Sequence, residues 1–529
     1  MSKILVCDSI AEEGVAKLRE AGSVHVSTGL SEEQLIEAAR DACAIMVRSS
    51  TYITAPVIRA APELRVVGRA GVGVDNIDVD AATAAGVVVV NSPSGNTVAA
   101  AEHTIAMMMA VARRIPFAHS RMLARDWAKS KCLGTEVRGK ILGVVGLGKI
   151  GTEVARRAKG LEMQVIAHDP MLSEDHMQKM GVEPVSLDDL LARSDFVTLH
   201  VPGGAKTAQL INEDALAKMK PAAFLINCSR GAVLDEAAVA RALSEGRLAG
   251  AAIDVFQGEP NPWSSPLLDA PNVVLTPHLG ASTVEAQLVA SLDVAEQICD
   301  VLAGRQARSA VNLPRVPAET AEELRPWMGL AERVGMLVAN LAQSGLRSAQ
   351  VEYLGELRAF DCSLLTRAVL VGLLSRVGTD NLNIISAPAV AKQRGVAISE
   401  TKGSDRTPYH SVIRVIAHTR EGDLVASGTL RGLDEPRIVR VGAYQVDFVP
   451  SGGLLMVWFR DIPGVIGAVG TLMGEAGVNI GQMHVGRCER GGTALMILNV
   501  DQPVSEATAD AIRALPTVEG LRLMDLPPA

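Results

Sequence analysis

The chain has 529 residues, a formal net charge of −8 and no dense Lys/Arg run, a balance that excludes a general nucleic-acid binder, which needs a basic face to track phosphates. Its length leaves room for about three or four domains, each with its own core. Hydrophobic residues make up 48% of the chain but aromatics only 3%, so those cores are built from Ala, Val, Leu, Ile and Met.

Met1–Asp8 carries one Lys and an apolar run ending in an acid; it is too short for a signal peptide and reads as a first strand, Lys3–Asp8. Further strands are expected at Ala42–Ser50, Leu64–Ala70 and Val87–Ser92, separated by helix-length segments, the βαβ pattern of a parallel sheet. A long helical stretch then runs from Thr97 to about Trp127. Its most apolar part, Val98–Val111, contains Glu102 and His103 and ends at Arg113-Arg114, which suits a buried interdomain helix and not a membrane span. The next strand, Ile141–Val145, empties into Gly146-Leu147-Gly148-Lys149-Ile150-Gly151 and a helical segment. Of these glycines, Gly146 permits a tight turn, Gly148 lets backbone N–H groups approach a pyrophosphate, and Gly151 lets the helix pack close. The following strand, Met163–Ala167, ends in His168-Asp169. A carboxylate there accepts from a ribose 2′-OH and repels a 2′-phosphate, so the cofactor is expected to be NAD and not NADP.

Strands at Phe196–Val201, Ala223–Cys228, Ala251–Phe256 and Val273–Thr276 continue the pattern, and Val284–Leu302 reads as a helix ending at Gly304. Two strand sets, before and after the long helix, imply two lobes with a cleft between them. In parallel sheets ligands bind beyond the carboxyl ends of the strands, and Arg230, Glu259 and His278 follow three such ends. These are the residue types that oxidation of a 2-hydroxy acid requires. His is a base near neutrality, Glu orients it and favours its charged form, and the Arg fork grips a carboxylate. In the first lobe Arg48 ends a strand, and the turn Gly68–Asn76 brings Arg69 and Gly71, two cations and a set of N–H groups suited to an anionic substrate.

Past Leu313 the texture changes. Pro314, Pro317 and the acidic run Glu319–Glu323 look like a linker. Helices Trp327–Gln343 and Ser363–Ser375 and strands Ser411–His418, Leu424–Leu430 and Arg437–Val441 follow, without a catalytic motif. The last segment, from Leu454 to Met524, reads β-α-β-β-α-β, a ferredoxin-like unit. The seven cysteines are scattered, with no C-x-x-C pair, which points to reduced thiols in the cytoplasm, without a zinc site.

The segments Gly146–Gly151, Asn227–Gly231, Asp254–Pro260 and Pro277–Thr283 resemble those of the D-isomer-specific 2-hydroxyacid dehydrogenases. Within that family the chain is similar to the long branch that acts on 3-phospho-D-glycerate and adds an intervening domain and an ACT-type domain. The resemblance implies an α/β chain of two doubly wound parallel-sheet lobes, a flavodoxin-like substrate lobe (1–97, completed by 284–310) and a Rossmann-type cofactor lobe (98–283). An α+β intervening domain (314–450) and a ferredoxin-like ACT domain (452–529) follow. It implies Arg230, Glu259 and His278 as the catalytic set, and Gly146, Gly148, Lys149, Ile150, Gly151, Asp169, Cys228, Asp254, His278 and Gly280 around NAD, Asp254 near the nicotinamide carboxamide. It implies Arg48, Arg69, Gly71, Asn96 and Arg230 on the substrate, Arg48 at its phosphate, with Lys129 reaching in from a neighbouring subunit of a dimer or tetramer. In the tail, Asp461 and Asn479 match an effector pattern whose ligand is implied to be L-serine, held between paired domains. The implied reaction is oxidation of 3-phospho-D-glycerate to 3-phosphohydroxypyruvate, toward L-serine. Two alternatives stand beside it. Another D-2-hydroxy acid dehydrogenase, acting on glycerate, lactate or 2-hydroxyglutarate, would need neither Arg48, Lys129 nor an amino-acid-sensing tail. An NAD-sensing corepressor would need a peptide-binding surface and disordered tails.

Overall fold

The computed structural model describes residues 2–342, 345–378 and 381–527. Strands β1 (Lys3–Val6), β2 (Ser23–Val26), β3 (Ala42–Val47), β4 (Val66–Arg69) and β5 (Val88–Asn91) form an all-parallel sheet in the order β2-β1-β3-β4-β5, the flavodoxin-like order. The four strands other than β2 are nearly continuous buried aliphatic runs, as expected of a sheet covered on both faces. Edge strand β2 is largely exposed, which is why no apolar run marks it in the sequence. The helix Val284–Leu302, capped by Thr283 Oγ1 accepting from the Ala286 N–H at 3.1 Å, returns to cover one face. Its Ala290, Val294, Ala295 and Ile298 share a core with Ile4, Val6, Val66 and Val90.

The second sheet contains β6 (Ile141–Val145), β7 (Gln164–His168), β8 (Glu183–Pro184), β9 (Phe196–Leu199), β10 (Phe224–Asn227), β11 (Gly250–Ile253) and β12 (Val273–Leu275). Their order is β12-β11-β10-β9-β6-β7-β8, again all parallel. Strand order reverses between β6 and β9, the switch point at which Rossmann-type sheets bind dinucleotides. The expected helix from Thr97 to Trp127 is two helices, Thr97–Ala112 and Ile115–Leu123. Arg114 adopts a left-handed φ of +53° and Pro116 follows, so the ladder stops where a proline ring would clash with it and restarts with that proline in the first turn.

The third sheet, β14-β13-β15-β16-β17-β18, comprises β13 (Leu346–Gly355), β14 (Ala397–Lys402), β15 (Ser411–Thr419), β16 (Asp423–Arg431), β17 (Glu435–Val441) and β18 (Tyr444–Phe448). It is mixed, β13 and β14 being parallel and the rest antiparallel. The acidic run expected to be linker forms the first turns of a helix, Ala318–Leu341, which continues through Pro326; its carboxylates lie toward the positive end of the helix dipole. Gln343, the expected end of that helix, lies outside the described residues. The fourth sheet, β20-β21-β19-β22, is antiparallel, with β19 (Gly452–Arg460), β20 (Ile480–Arg487), β21 (Thr493–Val500) and β22 (Val518–Leu526). Helices Val465–Glu475 and Glu506–Arg513 complete the ferredoxin-like unit.

Alternation along β19 ties the last two units together. Leu455, Val457 and Phe459 face the ACT helices, whereas Leu454 and Met456 join Val334, Val338, Val351 and Val415 in a core continuous with the intervening domain. That domain in turn docks on the first lobe. Asn383 Nδ2 donates to the Gly86 carbonyl at 2.9 Å, Arg367 reaches the Asn312 carbonyl at 3.4 Å, and Ile385 is buried in the lobe's core. Among the described residues no helix is long and apolar enough to cross a membrane.

Candidate active site

Three glycines shape the turn after β6. Gly146 takes φ +90°, a conformation that L side chains resist. Gly148 has open space where a Cβ would stand, and a Cβ on Gly151 would collide with the Gly146 carbonyl. Helix Lys149–Gly160 starts there without a side-chain cap, so its free N–H groups and dipole face an open surface, as a pyrophosphate requires. Asp169, just past β7, accepts the Leu147 N–H at 2.8 Å and the Met171 N–H at 2.9 Å, and each oxygen keeps acceptor capacity for a ribose hydroxyl. At the N-terminus of the crossing helix Thr97–Ala112, the Asn96 Oδ1 and Thr97 Oγ1 are buried without a partner, and Lys149 Nζ donates to Ser94 Oγ nearby at 2.6 Å. Open backbone donors, a tethered acid and orphaned polar atoms together fit NAD.

Arg230, Glu259 and His278 follow β10, β11 and β12, three adjacent strands of one sheet. The His278 Nδ1 and Glu259 Oε2 atoms lie 2.7 Å apart, and Glu259 Oε1 accepts the Phe256 N–H at 2.8 Å. Burial pushes the Glu259 carboxyl up, but the hydrogen bonds from His278 and Phe256 outweigh it and hold the group below its usual value. A proton on Nδ1 shared with this carboxylate leaves the Nε2 lone pair of the half-exposed imidazole for the cleft.

His278 itself sits at φ +54°, and Asp254 holds it there. The Asp254 carbonyl accepts the His278 N–H at 2.8 Å, its Oδ1 the Leu279 N–H at 2.8 Å, and its Oδ2 the Gly280 N–H at 3.0 Å. Thr276 Oγ1 adds a donor to Oδ1 at 2.6 Å. Here too burial raises the carboxyl, and the bonds from His103, Thr276 and Leu279 bring it below its usual value. His103, Cys228 and Asp254 place donor atoms within 4.8 Å of one another. The Cys228 thiol is pushed up to about 12 by burial and by the Asp254 charge, which disfavours the thiolate that a metal needs, and Asp254 Oδ1 is taken by O–H and N–H donors.

The first lobe contributes its cations to the same cleft. Arg69 donates from Nε to Asn76 Oδ1 at 3.0 Å. Burial lowers its pKa, and so do the charges of Arg230 and Arg48, against the opposing charges of Asp75 and Asp8. Arg69 Nη1 lies against Gly71 and the Arg230 guanidinium against Gly73, so one guanidinium from each lobe lines the same glycine turn. A Cβ on Gly73 would run into the Arg230 guanidinium and Asp75, and Arg230 Nε lies 3.4 Å from Asp75 Oδ2. Asp8, buried, accepts the Arg48 N–H at 2.6 Å and the Thr51 hydroxyl at 2.7 Å, which fixes the loop presenting Arg48. The Gly71 carbonyl accepts the Ser92 N–H at 2.9 Å, tying the glycine turn to the strand before the crossing helix. Lys129 is exposed on a short 3-10 helix, Lys129–Cys132, between the exposed Trp127 and Leu133. It has no hydrogen bond or ion pair with the cleft side chains among the described residues.

The effector candidates are not brought together within the chain. Asp461 follows β19 and pairs with Arg487, at the end of β20, at 3.2 Å. Asn479 precedes β20, and its Nδ2 donates to Asp501 at 2.6 Å. The eight residues of β20 separate them, roughly 25 Å at about 3.3 Å per residue. Sequence reasoning did not single out Asp75, Thr276 or His103 as site residues. His103 carried a usable signal, since a polar ring inside a mostly apolar helix needs a buried partner.

Residues 105–280 match the model of the D-isomer specific 2-hydroxyacid dehydrogenase NAD binding domain. Residues 323–442 match that of the D-3-phosphoglycerate dehydrogenase intervening domain, and 454–517 that of the ACT domain. The chain is 45% identical over 513 residues to D-3-phosphoglycerate dehydrogenase of Synechocystis sp., covering 97% of this chain and 92% of the relative. With the Methanocaldococcus jannaschii enzyme of the same name it shares 41% identity over 527 residues, 99% of this chain and 100% of the relative. Among solved structures, TT0316 protein from Thermus thermophilus superposes with a TM-score of 0.55 at 33% identity, over 58% of this chain and 99% of that one. D-Lactate dehydrogenase from Aquifex aeolicus, complexed with NAD and lactic acid, gives 0.53 at 27%, over 59% and 99%. With the glycine turn, the strand-end triad and both C-terminal units in place, the chain belongs to the D-3-phosphoglycerate dehydrogenases, NAD-dependent members of the D-isomer specific 2-hydroxyacid dehydrogenase family.

Proposed function

We propose that the chain oxidises 3-phospho-D-glycerate to 3-phosphohydroxypyruvate with NAD, in the cytoplasm, as the step that commits carbon to L-serine, and that it works as a homo-oligomer. The observation that supports this is the approach of Arg230, from the end of β10, to the Gly71–Gly73 turn that also holds Arg69, with His278 and Glu259 paired at the ends of the neighbouring strands. Arg230 takes the substrate carboxylate in its planar fork. Arg48 and Arg69, with the Gly71 turn, take the phosphate, whose charge near −2 at neutral pH matches two cations. Asn96 faces the junction of substrate and cofactor, and Lys129 adds a cation from a neighbouring copy. His278 Nε2 withdraws the C2 hydroxyl proton, and Glu259 stabilises the imidazolium that results. When bound, NAD supplies the two-electron acceptor; Gly146, Gly148, Lys149, Ile150 and Gly151 line its pyrophosphate, Asp169 its ribose, and Cys228, Asp254 and Gly280 the nicotinamide end. The working division is a substrate lobe of 1–97 with 284–310, a cofactor lobe of 98–283, and regulatory domains of 314–450 and 452–529.

Following NADH absorbance with 3-phospho-D-glycerate, D-glycerate, D-lactate and D-2-hydroxyglutarate tests the substrate. The phosphorylated acid should lead in kcat/KM by about a hundredfold or more, the scale of two charge-assisted hydrogen bonds. A lead for D-glycerate or D-lactate would overturn the assignment of Arg48.

The tail is proposed to sense L-serine. Asp461 accepts the ammonium and Asn479 serves the carboxylate, one from each of two copies, because a single chain holds them at opposite ends of β20. The shared core between ACT and intervening domains, and the Asn383–Gly86 dock, give the effector a route to the substrate lobe.

A further inference from the structure

The crossing helix Thr97–Ala112 enters the cofactor lobe with two ionisable side chains in succession. Glu102 pairs with Arg157 of the cofactor helix at 3.1 Å, on an exposed face. His103 turns inward, with Nε2 3.1 Å from Asp254 Oδ1 and 3.3 Å from Thr276 Oγ1. Asp254 is fully buried, 0% exposed.

The Asp254 bonds are unevenly shared. Oδ1 receives the Thr276 hydroxyl and the Leu279 N–H and has His103 Nε2 3.1 Å away, while among the described residues Oδ2 receives the Gly280 N–H alone. Two donors fill the lone pairs of Oδ1 and His103 closes its remaining side, whereas Oδ2 retains an acceptor site. The two backbone donors come from the loop that carries His278, so they move with it. His103 stands on a different element, the one that joins the two lobes. With Thr276 Oγ1, which also reaches Met107 Sδ at 3.6 Å, it refers the carboxylate, and through it the loop, to that helix.

We propose that His103 is a positioning residue. By donating to Asp254 Oδ1 it sets the carboxylate so that Oδ2 meets the amide of the nicotinamide ring, and it ties the left-handed turn at His278 to the lobe-crossing helix. The inference rests on the proposed place of Asp254 at the nicotinamide end of the cofactor.

The test compares NADH with ADP-ribose, which carries the adenine, both riboses and the pyrophosphate but no nicotinamide. Each is titrated into the full-length native chain, His103→Leu and His103→Gln. His103→Leu should weaken NADH by about tenfold, the scale of one charge-assisted hydrogen bond, with ADP-ribose within about twofold. His103→Gln, whose amide N–H reaches a position like that of Nε2, should recover most of the loss, and kcat should follow NADH affinity through the series. Equal weakening of both ligands would make His103 a packing residue and overturn the proposal; so would unchanged NADH affinity, or a Gln variant no better than Leu. Should His103→Leu fail to fold, Thr276→Val removes the other side-chain donor to the same oxygen. Loss of NADH with ADP-ribose retained then supports the proposal, and parallel loss overturns it. A native chain that bound neither ligand would overturn the cofactor site itself, a result distinct from any failure confined to the variants.

Discussion

The cleft and the ACT unit organise their polar groups in opposite ways. In the cleft the residues meet inside one chain and are already bonded to one another, His278 to Glu259 at 2.7 Å and the His278 loop to Asp254 through three N–H donors. In the ACT unit Asp461 and Asn479 lie apart, each held by a neighbour of its own, Arg487 and Asp501. The difference separates two requirements. Proton transfer needs fixed geometry, which adjacent strand ends of a parallel sheet supply. Sensing needs an equilibrium that a ligand can shift, and groups satisfied by interchangeable partners provide it.

Breaking the preorganised side should give the largest effect. His278→Asn should lower kcat by about 10²–10⁴-fold while NADH affinity, read by fluorescence titration, changes little, because only the proton acceptor is lost. Near-native turnover would remove His278 from the mechanism. On the sensing side, Asp461→Ala should abolish a serine response whose size in the native chain is set by a coupling of about 1–3 kcal/mol, or five- to 150-fold in apparent affinity. It should leave basal turnover within about twofold, since among the described residues the side-chain bonds of Arg230, Glu259 and His278 all go to the two catalytic lobes. Asp169→Ala should reduce the preference for NAD over NADP by about tenfold, by removing both a ribose acceptor and a charge repelling the 2′-phosphate. An unchanged ratio of kcat/KM values would move the specificity elsewhere.

The smallest expected effect is on acid stability. Glu259 is held below its usual value, so its contribution to folding is complete above the unfolded carboxyl value of about 4.3 and is lost as pH falls through the lower folded value. Glu259→Gln should therefore flatten the fall in Tm below about pH 4, while Glu12→Gln, on an exposed surface helix, should leave it as it is.

The same contrast explains what could be read from the residues alone. The catalytic lobe was legible because each functional side chain follows an apolar strand, buried at β6, β10 and β11 and half-buried at β12, and a strand's end locates what comes after it. Gly146–Gly151, Arg230, Glu259 and His278 all belong to that class. Edge strand β2 and the two-residue β8 were not legible, since they bury too little to leave a pattern. The break at Arg114 was hidden because a left-handed arginine has no composition of its own; only Pro116 hinted at it. The acidic helix start at Glu319 was hidden by flanking prolines that resemble linker and in fact mark a helix start. The separation of Asp461 from Asn479 depends on which end of β20 each occupies, a property of strand pairing. The role of His103 depends on a contact across about 150 residues, from its helix to the Asp254 strand end.

That the His278–Glu259 pair is assembled within one chain and sensing between two is tested most directly by mixing variants. Asp461→Ala and Asn479→Ala are each titrated with L-serine by calorimetry, then co-expressed and titrated again. In a paired assembly one of the two junctions of a mixed dimer combines the intact Asp461 of one copy with the intact Asn479 of the other. The account predicts that neither variant binds serine alone and that the mixture regains binding. A mixture as silent as its components, while the native chain binds, would place Asp461 and Asn479 outside any shared site and contradict the account.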